Sequence, residues 1–172
     1  ASIDIESAKI LWKEGEITTS NISVPVYAST PITVTLNVKQ ISLDALLSAA
    51  TSNRATATGA VSGTLPVVIN RDGTFILKKG SLKADKAGTL KLSPDVIPAE
   101  AAQVALLREA LQDFHYNNFS MAIESADSKK LSMLLSLEGN NPSVYNGRMI
   151  KLNVHLSGDV IELLTQSLNI LK

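Results

Sequence analysis

The chain reads as a mainly β domain with a few helices, an α+β arrangement whose strands pair mostly antiparallel. Three observations predict it. Apolar and polar residues alternate in several runs, as in Ile32, Val34, Leu36 and Val38 against Thr33, Thr35, Asn37 and Lys39. That period of two marks a strand with one buried face. Turn chemistry separates such runs, at Asn70-Arg71-Asp72-Gly73 and at Asn146-Gly147, where Asp-Gly and Asn-Gly readily supply positive φ. Leu, Ile, Val, Ser and Thr are abundant while aromatics make up 4% of the chain. This mixture suits long aliphatic strands better than a sugar site or a base-stacking platform.

In order, Ile3 to Trp12 alternates loosely and meets a turn at Glu14-Gly15-Glu16. Ile17 to Tyr27 carries Ile22, Val24 and Val26 at a period of two, with Pro25 inside the run. Proline cannot donate to a ladder, so Pro25 points to an edge strand or a bulge. After the strand at Ile32–Val38, Ser42 opens a short helix over 43–50, with Leu43, Leu46, Leu47 and Ala50 on one side. Ala57 to Ile69 is a strand region interrupted by Gly59, Gly63 and Pro66. Phe75 and Leu77 begin the return strand, and Leu82–Ala84 and Thr89–Leu92 read as short strands. The most helical stretch is 98–114, with Val104, Leu107, Leu111 and Phe114 at spacings of three and four, and Pro98 in the first turn. Tyr116–Ser125, Leu131–Leu137 and Ile150–Leu156 are strands. Asp159 with Glu162 reads as a capping arrangement for a last helix over 159–171. Leu36-Asn37-Val38 before Leu46-Leu47 is echoed by Leu152-Asn153-Val154 before Leu163-Leu164. The echo suggests a repeat-built architecture.

Composition excludes whole classes of function. The 16 basic and 16 acidic residues cancel, which argues against nucleic-acid binding and a polybasic membrane surface. Without cysteine there are no disulfides, thiolate nucleophiles or Cys-ligated metals. No signal peptide is visible at Ala1-Ser2-Ile3-Asp4, and no apolar run reaches the roughly 18 residues of a membrane span. The start reads as mid-protein sequence. The expectation is one unit, residues 1–172, excised from a longer chain.

No motif carries catalytic chemistry. The two histidines, His115 and His155, have no ligand spacing. By parity His155 points away from the face shared by Leu152, Val154 and Leu156 and meets solvent. No Gly-x-Ser-x-Gly elbow is present, and Ser62 reads as a strand serine. Gly59-Ala60-Val61-Ser62-Gly63 lacks the lysine of a P-loop, and Asn70-Arg71-Asp72-Gly73 lacks the spaced oxygens of a calcium loop. The reading is therefore no enzyme, no cofactor and no metal.

A resemblance adds to this. Leu135-Ser136-Leu137-Glu138-Gly139-Asn140-Asn141-Pro142, Asn146-Gly147-Arg148, Leu152-Asn153-Val154-His155-Leu156 and Leu163-Leu164-Thr165-Gln166-Ser167-Leu168 resemble the C-terminal region of YdbH-like proteins. Val61-Ser62-Gly63-Thr64-Leu65-Pro66-Val67, Gly80-Ser81-Leu82-Lys83-Ala84 and Gly88-Thr89-Leu90 are similar to the same family, so the likeness spans roughly 57–168. The family carries a dicarboxylate-transport label and is grouped with the AsmA-like, bridge-like lipid transporters of Gram-negative envelopes. The resemblance implies a curved sheet forming a groove-like, taco-like half barrel across the periplasm, with an inner-membrane anchor upstream. It also implies a small outer-membrane lipoprotein docking at the C-terminal end, which this chain would form.

Two functional readings follow. In the first, Val34, Leu36, Met121, Ile123, Met133, Leu135, Leu152 and Val154 line a groove for phospholipid acyl chains. In the second, the last strand (Ile150, Lys151, Leu152, Asn153, Val154, His155 and Leu156) accepts a partner strand by β-augmentation. A purely structural interaction module without a groove and a dicarboxylate-transport accessory are the alternatives. A carboxylate conduit would want fixed Arg or Lys along its lining, and the apolar strand faces supply few.

Overall fold

The computed structural model describes residues 2–26, 30–96, 102–125 and 130–159. Strands β1 (Ser2–Trp12) and β2 (Gly15–Pro25) form a hairpin. Its turn places Lys13 and Glu14 at φ 48° and 69°, the doubly left-handed form that matches strand twist but that side chains resist. An anchoring bond offsets this, since the Ser42 N–H donates to the Lys13 carbonyl at 3.0 Å. Strand β3 (Ile32–Ser42) runs straight into helix α1 (Leu43–Ala50). The Ser42 hydroxyl accepts from the Ala45 N–H at 3.3 Å, a short-side-chain N-cap. At the other end the Thr51 hydroxyl donates to the Leu47 carbonyl at 2.6 Å. Five strands follow, all short but β5: β4 (Ala55–Ala57), β5 (Ala60–Ile69), β6 (Phe75–Leu77), β7 (Gly80–Ala84) and β8 (Gly88–Leu92). Helix α2 (Ala102–Ala110) precedes the long strands β9 (Phe114–Ser125), β10 (Lys130–Asn140) and β11 (Ile150–Asp159).

All strands belong to one antiparallel sheet. Its main path is β1-β2-β3-β5-β7-β9-β10-β11, with β6 on β5, β8 on β9 and β4 on β8. Among the described residues β1 and β11 each pair on one side only, so the sheet is not closed into a barrel. Pro66 lies inside β5 where that strand changes partner, from β7 at Val61–Thr64 to β6 at Val67–Ile69. At that junction a missing N–H costs no ladder bond.

The helix expected over 98–114 is shorter than its apolar spacing suggests. It ends at Ala110, and Phe114 opens β9 opposite Leu90. A residue at the right helical spacing has been taken by sheet pairing, because tertiary burial outweighs a local periodicity. Residues 97–101 and 160–172 lie outside the described residues, and with them most of the helix expected over 159–171. Asp159 itself ends a strand. The two Leu-Asn-Val segments fall on β3 and β11. Five antiparallel steps separate these strands, so they run in opposite directions.

Register explains where the core sits. Val61, Leu82, Leu90, Met121, Leu131, Met133, Leu135, Leu137, Val154 and Leu156 are buried on the strands. Leu43 and Leu47 of α1 join the same cluster, as do Leu111 and Phe114 just after α2. Helix α1 also reaches β11, at the far end of the sheet path, which requires a strongly curved sheet. The opposite strand face is polar or exposed: Leu134, beside buried Met133 and Leu135, is an exposed position.

Strand β9 carries a bulge. Glu138 faces Asn118 but Gly139 faces Tyr116, so β9 has one extra residue there. Above it Phe119, Met121 and Ile123 are buried; below it Phe114 and Tyr116 are. A Cβ on Gly139 would collide with the His115 carbonyl oxygen, so only glycine permits the approach.

Candidate apolar face and free strand edge

Cross-strand pairing places apolar residues in rows that run through the sheet. One row is Ile17, Val38, Gly63, Leu82, Met121, Leu135 and Val154, from β2 to β11. Beside it Ile41, Val61 and Ala84 pair on β3, β5 and β7, and Phe119, Leu137 and Leu152 pair on β9, β10 and β11. On the other side of the first row Ile123, Met133 and Leu156 pair in a third row, and Leu36 pairs Leu65. None of these positions is charged. Gly63 is small by necessity, because a Cβ there would strike the Ser81 carbonyl oxygen.

All eight residues expected to line a groove lie on this one face. Val34 pairs Val67, and Leu36 shares its parity with Val34 and Val38. Met121 pairs Leu135, which pairs Val154; Ile123 pairs Met133; Leu152 pairs Leu137. Six of them (Val34, Met121, Ile123, Met133, Leu135 and Val154) are buried, and Leu36 and Leu152 are half-buried. On β3 Val34, Val38 and Ile41 are buried, as are Met121, Leu135 and Val154 on β9–β11, while Leu36, Ile150 and Leu152 are half-buried; the face is most open on β1, where Ile10 is exposed. The alternation within β3, β9, β10 and β11 identified these residues. The face partners Ile17, Gly63, Leu65 and Leu82 were not singled out. Their strands are short, or glycine-interrupted, or weakly alternating, so their only signal was the register itself.

Strand β11 presents the edge expected to accept a partner. Ile150 to Leu156 pair β10 in unbroken register from Gly139 to Met133, and their other side is unpaired among the described residues. Inward Val154 and Leu156 are buried, Ile150 and Leu152 are half-buried, and outward Lys151, Asn153 and His155 are exposed. Two depressions flank this strand. One of about 370 Å³ lies over Lys83, Ser120, Ser136, Glu138, Lys151 and Asn153. The other, of about 310 Å³, lies between α2 and the start of β11, against Leu106, Leu107, Ala110, Ile150 and Leu152. The polar outer face holds itself together by side-chain bonds such as Ser136 Oγ to Asn153 Oδ1 at 3.0 Å.

The closest approach to catalytic chemistry is Ser132 Oγ against His155 Nε2 at 2.8 Å. Both are on the outer sheet face, and His155 is exposed as its parity demanded. Among the described residues no carboxylate is hydrogen-bonded to the other ring nitrogen, the arrangement a base needs to be oriented. No group of three or more His, Asp or Glu residues is arranged to hold a metal among the described residues.

The fold is thus an open, curved antiparallel sheet with an uncharged apolar inner face and a terminal strand whose outer edge is unpaired among the described residues. Comparison with known families gives the particular family. The profile of the YdbH-like family, described as intermembrane phospholipid transport protein YdbH, matches residues 2–170. The chain belongs to the YdbH-like family, whose function is phospholipid transport between membranes and whose setting is therefore the cell envelope. No curated protein and no solved structure matches it. No helix among the described residues is long and apolar enough to cross a membrane.

Proposed function

We propose that this domain is the C-terminal module of a periplasm-spanning phospholipid conduit. Acyl chains lie on the inner face lined by Val34, Leu36, Met121, Ile123, Met133, Leu135, Leu152 and Val154, and a small outer-membrane lipoprotein adds a strand to β11. A segment upstream anchors the whole protein in the inner membrane. The carrying observation is the uncharged apolar row that passes from β2 to β11, with shorter apolar rows beside it. Moving an acyl chain onto such a surface gains about 0.8 kcal/mol per CH₂ removed from water. Rows of equivalent aliphatic groups make sliding nearly level in energy. A dicarboxylate would instead need fixed cations there, and the rows contain none.

Native mass spectrometry after gentle purification, with uptake of a labelled phospholipid, tests this. Bound lipid is expected, with uptake lowered at least fivefold by Leu36→Asp and unchanged by Leu134→Asp on the outer face. A domain that is always lipid-free and takes up no label overturns the reading. A second reading, an interaction module without lipid, is favoured by the covering of the inner face at β9–β11. It predicts strand docking with no lipid uptake.

A further inference from the structure

The depression between α2 and β11 has an unusual wall. It is lined by Ile150, Lys151, Leu152 and Asn153 in succession, and so by both faces of the strand. No residue of β10 lines it, which places it on the side of β11 that has no partner among the described residues. Its other side is apolar, made by Leu106, Leu107 and Ala110 of α2, with Tyr145 at the mouth. That helical wall is fixed. The buried Asn141 side chain donates to the Glu109 and Ala110 carbonyls at 3.2 and 3.1 Å, and the Leu92 N–H donates to the Leu111 carbonyl at 2.7 Å. Cationic groups flank the edge: Lys151, with 79% of its side chain exposed, is only loosely paired to Glu138 at 3.9 Å. Arg148 is exposed two residues before the strand.

We infer that this depression is an anchor pocket that sets the register of the strand docking on β11. The inference rests on the docking proposed above. A strand hydrogen-bonded to the edge keeps the pleat, so its inward side chains continue the face of Ile150 and Leu152. One of them drops against Leu106, Leu107 and Ala110. Its outward neighbour lies beside Lys151, where an acidic group completes an exposed ion pair. The partner is thus an amphipathic strand with the order apolar, acidic, apolar opposite residues 150–152. A one-residue slip would put the acid into the pocket and the apolar groups into water. Backbone pairing supplies affinity, and the pocket supplies selection.

Synthetic nine-residue strand peptides, labelled for fluorescence anisotropy, test this on the intact chain. The pattern apolar-acidic-apolar is expected to bind at least tenfold tighter than the same composition with its parity inverted. Leu106→Trp, which fills the pocket and leaves the edge intact, should erase that preference, with thermal melting confirming the fold. Lys151→Glu should reverse it in favour of a lysine-centred peptide. Proline placed singly at positions 151 to 154 should weaken every peptide at alternate positions, where the N–H faces outward. Loss with proline but no change with Leu106→Trp overturns the anchor and leaves strand docking standing. Binding indifferent to both, or no binding of any peptide, overturns both.

Discussion

Among the described residues the two ends of the sheet are both edge strands, yet they are built oppositely. On β11 Val154 and Leu156 are seated in the core, Ile150 and Leu152 pack against it, and the strand is held against a fixed neighbour along ten positions. On β1 nearly every residue is exposed, including Ile3 at 59%, Ile10 at 61% and Leu11 at 75%. The hairpin even changes sides. Ile10 pairs Ile17, which pairs Val38 on the inner face, whereas Ile3 and Ile5 pair Val24 and Ile22 on the outer one. Ladder pairing of β2 to β3 accordingly covers only Glu16, Ile17 and Thr18. Continued further in register, the hairpin would turn Asp4 and Glu6 toward the face that Leu36 and Val34 occupy. The contrast teaches that an edge strand is made firm by the face behind it, not by its hydrogen bonds, which both edges have in similar number.

Truncating each edge region's apolar face should break or sharpen that comparison. Leu135→Ala, at a fully buried position behind β11, is expected to cost about 2–5 kcal/mol. Ile3→Ala on exposed β1 should change stability by about 0.5 kcal/mol or less. Urea unfolding of the two variants checks it, and similar losses would erase the distinction. A smaller effect tests the support of α2. Asn141→Ala removes both bonds to the Glu109 and Ala110 carbonyls and should cost roughly 1–3 kcal/mol through buried acceptors left unpaired. Hydrogen exchange should rise in α2 and stay unchanged in β1 and β2.

The smallest expected effect concerns acid. Bonds from the Thr74 hydroxyl and N–H hold the Asp72 carboxyl below its ordinary range, and Lys9 at 2.9 Å does the same for Glu16. A carboxyl whose pKa is lower folded than unfolded adds stability above its unfolded pKa. That contribution disappears as pH falls through the folded pKa. Thr74→Val should therefore flatten the loss of stability between neutral pH and the acid side of the carboxylate range, slightly, because Asp72 is exposed. Urea midpoints for both proteins measured across that range give the answer, and parallel curves would count against it.

Much of the sheet was legible in the sequence because its long strands alternate. Ile32–Val38, Leu131–Leu137 and Ile150–Leu156 name their own inner faces. Parity cannot say which strands are neighbours, so the joining of Val38 to Gly63, Leu82 and Met121 came only with the fold. The end of α2 was hidden because Phe114 fits a helical spacing and a strand start equally well. The side-switch in the first hairpin was hidden because β1 mixes apolar residues of both parities. The pocket beside β11 combines a helix and a strand more than 40 positions apart, a distance no local pattern spans.

The bulge in β9 has a consequence for how this chain tolerates change in length. Its extra residue lets one strand serve two phases: Phe114 and Tyr116 in one, Phe119, Met121 and Ile123 in the other. The stretch between Tyr116 and Phe119 therefore works like a phase shifter. Removing a single residue there would take out the bulge and leave Phe114, Tyr116 and the Phe119, Met121 and Ile123 series in one unbroken alternation, while removing two would set the two halves out of phase and turn the side chains of one of them toward water. In this strand the harm of a deletion is set by whether it is odd or even, more than by how long it is.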